Sequence, residues 1–427
     1  MTLALHLWPE GSEWWVVTAA ALACAACAVI GTFLVLRGLS LLGDAISHAI
    51  LPGIAMAFIL SGSREVWPML LGALAAGPAT AGLTAGIQRV ARLGSDAALG
   101  VVFSSLFAIG VLLITWVADR VDLDPGCVLY GQIEFVPLDT TVFLGLDIPR
   151  AVLWLSAILV ADLLFVIVLF KELRLSSFDP AMSTAMGFGA GIIHYLLMTF
   201  VAATCVAAFE SVGSILVVAM LVAPGATAHL LTDRLSRTLI LAGFLGVSAA
   251  FLGFLGAKWF DTSVAGVISV AAGVQFLAAA LLAPRHGIAT RWVRRGLLAI
   301  RIAREDELAA LYRQHEASPE PMASLTVLPP STLRQRLARR LLRLDQSVRR
   351  VNGGLSLTPA GLEQGAAIVR AHRLWETYLA QKTDLPLDHL HEASHRVEHF
   401  VSAELAKRLS KAVQASQDPH GRPIPPV

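Results

Sequence analysis

Two groups of residues in this chain have the types and spacing to handle a metal ion. Asp44 and His48 lie four apart in Arg37-Gly38-Leu39-Ser40-Leu41-Leu42-Gly43-Asp44-Ala45-Ile46-Ser47-His48-Ala49-Ile50-Leu51-Pro52-Gly53, so a helix sets them one turn apart on one face. Carboxylate and imidazole are both acceptable ligands for a divalent transition metal. The stretch is flanked by the apolar runs Trp15–Leu36 and Ala49–Leu60. Ionisable groups beside hydrocarbon are costly and normally face a protein interior or a water-filled path. The alternative is a polar helix start, with an acid in the first turn and a histidine packed on a neighbour. Pro52-Gly53 is expected to interrupt the helix, which transport helices tolerate where backbone lines a cavity. The second group is C-terminal: His372 and Glu376 at i and i+4, then His391, His395, Glu398 and His399 at spacings of four, three and one. Such spacing converges side chains on one side of a helix, and imidazole with carboxylate suits manganese, iron(II) or zinc. The alternative there is a solvated helix with incidental histidines.

The elements that must position these groups differ in kind. The chain has 427 residues, 56% hydrophobic and 15% charged, and a mean hydropathy of +0.68. That composition excludes an ordinary soluble protein and indicates a polytopic, all-α membrane protein. Apolar segments of spanning length, ~20 residues each, recur near 15–36, 40–62, 66–87, 97–118, 151–170, 191–210, 212–231, 238–257 and 263–283. About nine crossings are expected, or eight if one interrupted segment dips in and returns. Arg37, Arg89, Arg92, Lys171, Arg174, Arg234, Arg237 and Arg285 fall on one side, against Arg64, Arg120, Arg150 and Lys258 on the other. The richer side is cytoplasmic by the positive-inside rule, which puts the N-terminus outside and the C-terminus inside. Met1–Trp14 has no basic leader and is not read as a cleaved signal.

Within the membrane part, His194 beside Tyr195 near the start of the sixth segment is a candidate path residue or a hydrogen-bonded interfacial one. The outer stretch Asp119–Arg150 carries Asp122, Asp124, Glu134, Asp139 and Asp147, a charge that attracts cations or simply solvates a loop. Cys24 and Cys27 fall in an apolar helix and read as small buried thiols. Pro224-Gly225 is expected to break the chain and begin a short helix over about 225–235. No Gly-rich phosphate loop ending in Gly-Lys-Ser/Thr occurs anywhere in the sequence, so hydrolysis of ATP would have to come from another subunit.

After residue 287 the composition turns charged and amphipathic, which sets domains at 1–287 and 288–427. Arg301–Arg313 reads as a helix, and Ser331–Leu344 as a second, N-capped by Ser331 and bearing Arg334, Arg336 and Arg340. Val351-Asn352-Gly353-Gly354 signals a hairpin turn, and Thr358-Pro359 opens a further helix. Helix, basic helix and hairpin is a winged-helix order over 296–360, with arginines suited to phosphate contacts on DNA. A solvated face or a seat on acidic lipid are the alternatives. Residues 361–427, which follow, hold the second ligand group.

The string from Arg37 to Gly53 resembles the signature of the manganese/zinc/chelated-iron ABC permease family. So do Asp96–Ser105, Phe178-Asp179-Pro180 with Ala185-Met186-Gly187, and Gly213–Thr232. The resemblance spans about 10–287. It implies a permease subunit of an ATP-driven importer in a bacterial cytoplasmic membrane, with Asp44, His48 and His194 along the path. It also implies a second permease subunit, a cytoplasmic ATPase that binds the nucleotide, and an external metal-binding protein. By family position, Gly225, Thr227, His229 and Asp233 would lie in the helix that couples to the ATPase. Leu357–Gly361, His372-Arg373-Leu374 with Glu376, Val397-Glu398-His399 and Asp418–Gly421 resemble the iron- and manganese-dependent repressors. That second resemblance implies metal-binding and dimerisation helices over 361–427, with one metal site from Asp306, His395, Glu398 and His399, another from His372, Glu376 and His391, and DNA as a possible partner.

Overall fold

The computed structural model describes residues 9, 11–62, 66–117, 131, 133–143, 145–317, 332–351, 354–383, 386, 390, 394–395 and 397–426. The chain divides into two compact units, residues 1–290 and 291–427.

In the first unit, every apolar segment read from the sequence coincides with a long helix. These are α1 (Glu13–Leu36), α2 (Ser40–Ser61), α3 (Val66–Ala91), α4 (Ser95–Val117) and α5 (Arg150–Val168). Two short helices follow, α6 (Phe170–Phe178) and α7 (Pro180–Ala185), then α8 (Ala190–Val212), α9 (Ser214–Leu231), α10 (Leu235–Phe260) and α11 (Val264–Leu282). A small hairpin, β1 (Thr140–Phe143) with β2 (Leu146–Pro149), precedes α5. Six of the described helices (α1, α5, α8, α9, α10 and α11) are long and apolar enough to cross a membrane, while α2 and α4 hold the shorter apolar stretches Leu51–Ser61 and Ala97–Leu113.

Side-chain ties mark the two ends of this bundle. Lys258 Nζ donates to Glu13 at 2.8 Å, and the Val264 amide donates to Glu134 at 3.4 Å. At the other end, Arg37 donates to Ser176 at 2.8 Å and Ser177 at 3.0 Å, and Asp233 pairs with Arg285 and with His286 at 3.2 Å. Each partner stands at the helix end that alternating passes require. Inside, α1 packs chiefly on α10, α9 and α5, whereas α2 packs chiefly on α3 and α4. The α2–α3 crossing is tight enough that a Cβ on Gly53 would strike the Gly72 carbonyl, and the reverse. Small residues that admit such backbone approach are how helices associate where lipid supplies no hydrophobic drive.

Two expected breaks do not occur. Pro52 sits inside a continuous α2. Its missing N–H leaves the His48 carbonyl without its usual helical donor, but packing of Leu51 and Pro52 against Gly110 holds the helix together. Likewise Pro224 and Gly225 lie within α9, so residues 225–231 are not a separate short helix. Gly225 is buried against the Thr32 backbone of α1, which keeps the chain in register through the proline.

The second unit holds most of α12 (Ile288–Ala317), then α13 (Leu333–Leu344), β3 (Val348–Val351), β4 (Gly354–Leu357), α14 (Pro359–Lys382) and α15 (Ala403–Val413). Leu308, Leu311, Leu342 and Val348 form its core, with Leu355, Leu357 and Ile368 packed against them. The helix expected at Arg301–Arg313 is longer in both directions. The α13 cap is Thr332 rather than Ser331: its hydroxyl accepts from the Gln335 amide at 3.3 Å while the Gln335 side chain accepts from the Thr332 amide. This reciprocal box satisfies two orphan donors that a lone serine would leave half-served. The hairpin pairs Val348 with Leu357 and Val351 with Gly354; the expected turn residues Asn352 and Gly353 lie outside the described residues.

Candidate metal centre

Four ligand-type side chains of the second unit converge: Asp306, His395, Glu398 and His399, with one ligand atom from each lying within 4.8 Å of the others. Asp306 comes from the middle of α12, and the other three from a stretch that is helical at 394–395 and tightens to a 3-10 turn at Glu398–Phe400. The i, i+3 and i+4 spacing does what the sequence implied. His395 Nδ1 is 2.7 Å from Glu398 Oε1, and His399 Nε2 is 3.2 Å from Asp306 Oδ1 and 3.6 Å from Glu398 Oε1. His399 Nδ1 meets Glu305 Oε2 at 2.8 Å, which fixes the ring and leaves Nε2 facing the cluster. A carboxylate on the far nitrogen of a ligating histidine is the usual orienting arrangement at metal sites.

The donor set fits a divalent cation. Asp306 Oδ1 and His399 Nε2 are buried, neither makes a hydrogen bond, and both point at the same space. Native structures rarely leave such atoms unpaired. Two imidazoles and two carboxylates are intermediate-to-hard ligands, the mix for manganese, iron(II) or zinc. The cation would supply the positive charge that two facing carboxylates otherwise lack.

Electrostatics separate the two acids. Burial pushes the Asp306 carboxyl above its ordinary value, against the opposing pull of His399 and His395. Burial also works to raise Glu398, but the hydrogen bonds and charges of His372 and His395 outweigh it and hold that carboxyl below the usual range. With the Asp306 carboxyl raised, a cation binding at a pH where it is protonated must expel that proton. Manganese affinity of the intact protein is therefore expected to fall as pH drops toward and through Asp306's raised range. In Asp306→Asn that part of the pH dependence should vanish along with tight binding, as titration calorimetry at several pH values would show.

Two of the three residues expected in the second cluster are described. His372 and Glu376 are buried on α14, 3.8 Å apart, and His372 Nδ1 reaches Glu398 Oε2 at 2.6 Å. Glu398 thus presents one oxygen to each cluster. His391 lies outside the described residues. Among the described residues His420 also approaches, its Nε2 3.2 Å from Glu376 Oε1. Arg373, next to His372, is clamped by Glu316 at 2.7 Å and Asp418 at 3.6 Å, which seats the tail that carries His420. Sequence spacing could not bring His420 to Glu376, since the two are 44 residues apart.

In the membrane unit the backbone sets Asp44 and His48 one turn apart on α2; their side chains lie outside the described structure. His194 is half-buried one turn inside α8, which begins at the same bundle end as α2, with its ring edge-on to Tyr195 at 5.8 Å. Of the residues expected to couple, Gly225 and Thr227 are buried in the bundle, whereas His229 and Asp233 are exposed. Arg334, Arg336 and Arg340 are exposed on α13, while Arg339 is tied to Glu307 at 2.9 Å. One acid escaped the sequence reading. Asp162 of α5 is fully buried, accepts a hydrogen bond from Thr204 at 2.8 Å, and has its other oxygen unpaired. A lone acid in the apolar run 151–170 was the available signal.

A family model for the ABC 3 transport family matches residues 13–283. The chain belongs to the ABC 3 transport family. A second model, the iron dependent repressor metal binding and dimerisation domain, matches residues 358–426, which cover every described metal-cluster residue except Asp306. Among ABC 3 relatives, the manganese transport system membrane protein MntD of Bacillus subtilis is 44% identical over 66% of this chain and 96% of its own length. The zinc transport system membrane protein TroD of Treponema pallidum is 40% identical over 65% of this chain and 75% of its own. MntC of Bacillus subtilis is 31% identical over 87% of this chain and 85% of its own, so the likeness there runs past the membrane unit. The PsaBC structure from Streptococcus pneumoniae in complex with Fab superposes with a TM-score of 0.56 at 32% identity, covering 65% of this chain and 94% of that one. The ABC 3 chain described here is a multi-pass membrane permease subunit with a repressor-like metal-binding domain at its C-terminal end.

Proposed function

We propose that this subunit forms the path of an ATP-driven importer of manganese, with zinc and iron(II) as its nearest rivals, and that its C-terminal unit senses the imported cation. The observation that carries this reading is the fusion itself: a permease of a family whose relatives are named for manganese and zinc transport bears an N/O cluster suited to the same ions, in which Asp306 Oδ1 and His399 Nε2 face each other without a hydrogen-bond partner. On the path, Asp44, His48 and the His48 carbonyl freed by Pro52 would replace water around the cation in passing, with His194, one turn inside α8 at the same bundle end, as a further path residue. The N-terminus would lie outside and the C-terminal unit in the cytoplasm, as the arginine distribution favours. A second permease subunit, an external metal-binding protein and a separate ATPase complete the assembly. With Gly225 and Thr227 buried, the ATPase would seat on α6, α7, His229 and Asp233, where Phe178, Met182 and Met186 are exposed and apolar.

Reconstituted into liposomes with its partner ATPase, the complex is expected to accumulate manganese only with hydrolysable ATP inside. Accumulation by the permease alone would make it a secondary transporter instead. A second reading, a membrane-anchored transcription regulator, draws on the exposed Arg334, Arg336 and Arg340 of the capped helix before the hairpin. Substituting all three by glutamine is expected to spare uptake under either reading, and loss of metal-responsive promoter output in those cells would select the regulator.

A further inference from the structure

The last helix of the membrane unit ends at Leu282, and α12 begins at Ile288. The joint is short and closed: the Gly287 amide donates to the Ala283 carbonyl at 2.9 Å, and the Thr290 hydroxyl donates to the same oxygen at 2.9 Å. Residues 291–300 therefore start within a few residues of the membrane edge, whatever the second unit does beyond them.

This stretch has the wrong surface for water. Every residue from Arg291 to Leu298 is exposed, including Trp292 at 75%, Val293 at 60% and Leu297 at 61%. At 3.6 residues per turn, Trp292, Val293, Gly296, Leu297 and Ile300 fall on one face. Arg291, Arg294, Arg295 and Arg301 fall on the other, which only Leu298 interrupts. No acid occurs between Ile288 and Arg304. A tryptophan-bearing apolar face backed by arginines is the pattern of a helix lying in a membrane interface, its apolar side sunk ~5–10 Å into the headgroup and acyl boundary. Clustered arginines immediately beyond a membrane span are in turn drawn to anionic lipid.

We propose that the first part of α12, Ile288–Arg301, lies in the bilayer interface as an anionic-lipid-binding helix, with Trp292, Val293 and Leu297 in the acyl boundary and the arginines on phosphate headgroups. The same helix carries Glu305 and Asp306 at its middle. Anionic phospholipid is favoured as occupant over a second copy of the chain for two reasons. The face formed by Arg291, Arg294 and Arg295 would repel its own duplicate, Arg301 being paired with Glu305 at 2.8 Å, and the helix emerges where lipid is already present.

The test uses the full chain in nanodiscs with Cys127→Ser; Cys24, Cys27 and Cys205 are buried and spared by the label. Nitroxides are placed singly through Val293→Cys and Arg291→Cys, and collision rates with oxygen and with a water-soluble nickel chelate are measured by EPR. In phosphatidylglycerol nanodiscs the oxygen-to-nickel ratio should be severalfold higher at 293 than at 291. The contrast should shrink in phosphatidylcholine nanodiscs and on Arg291, Arg294 and Arg295→Gln in the Val293→Cys chain. Equal nickel access at both positions would overturn the proposal. So would a label at 293 sealed from both reagents and dipolar-coupled to a second copy, or a contrast indifferent to lipid charge. If Val293→Cys does not assemble, Leu297→Cys reads the same face.

Discussion

Cells expressing the assembled complex with Asp44→Ala and His48→Ala together are expected to accumulate manganese at the level of cells lacking the transporter. Disturbing the partners of metal ligands alone typically costs ~10–100-fold in affinity or activity. Removing two ligands from one face of α2 should therefore exceed ~100-fold in uptake at limiting metal. α2 is held by the close crossings at Gly53 and Gly110, so the double variant is expected to assemble. Radiometal uptake, with membrane abundance and ATPase association checked in parallel, measures it. Undiminished uptake by a fully assembled double mutant would remove Asp44 and His48 from the path.

The second large effect is expected at Glu398. Its two oxygens face different clusters, 2.7 Å from His395 and 2.6 Å from His372. Glu398→Ala should cost both at once, whereas Asp306→Ala or Glu376→Ala should each cost one. Elemental analysis of the purified chain is expected to find the metal of the C-terminal unit lost in Glu398→Ala and retained in part in the other two. Affinity in Glu398→Ala should fall by at least ~100-fold, since a shared carboxylate is both ligand and orienting partner. Equal stoichiometry in all three variants would show that Glu398 is not shared. Without metal, the depressed Glu398 carboxyl stabilises the fold only above its unfolded value, and that contribution fades as pH falls through the folded one.

The sequence was most legible where one element carries the whole message. Asp44 with His48, and His395 with Glu398 and His399, each sit within one or two turns, so helical periodicity alone places them together. The apolar segments were equally plain, because a bilayer fixes their length. What failed was local inference about prolines. Pro52 and Pro224 each remove one backbone donor, but whether a helix then breaks depends on neighbours such as Gly110 and Thr32, which periodicity cannot see. Tertiary partners were also out of reach. Glu305 orients His399 from 94 residues away, and His420 joins Glu376 only because Arg373 pins the tail. Asp162 was visible as an oddity in an apolar run, yet its bond to Thr204 was not.

The uneven packing of the first unit has a mechanical outcome. Because α2 is held to α3 by the carbonyl-tight Gly53–Gly72 crossing and is only lightly engaged with α1, α2 and α3 would have to move as one block, and since Gly77 of α3 is keyed as closely to Ala202 of α8, that motion would carry α8 with them. Asp44 and His48 would ride on the moving block. Opening the proposed path to either side of the bilayer would then need α2, α3 and α8 to shift together against α1.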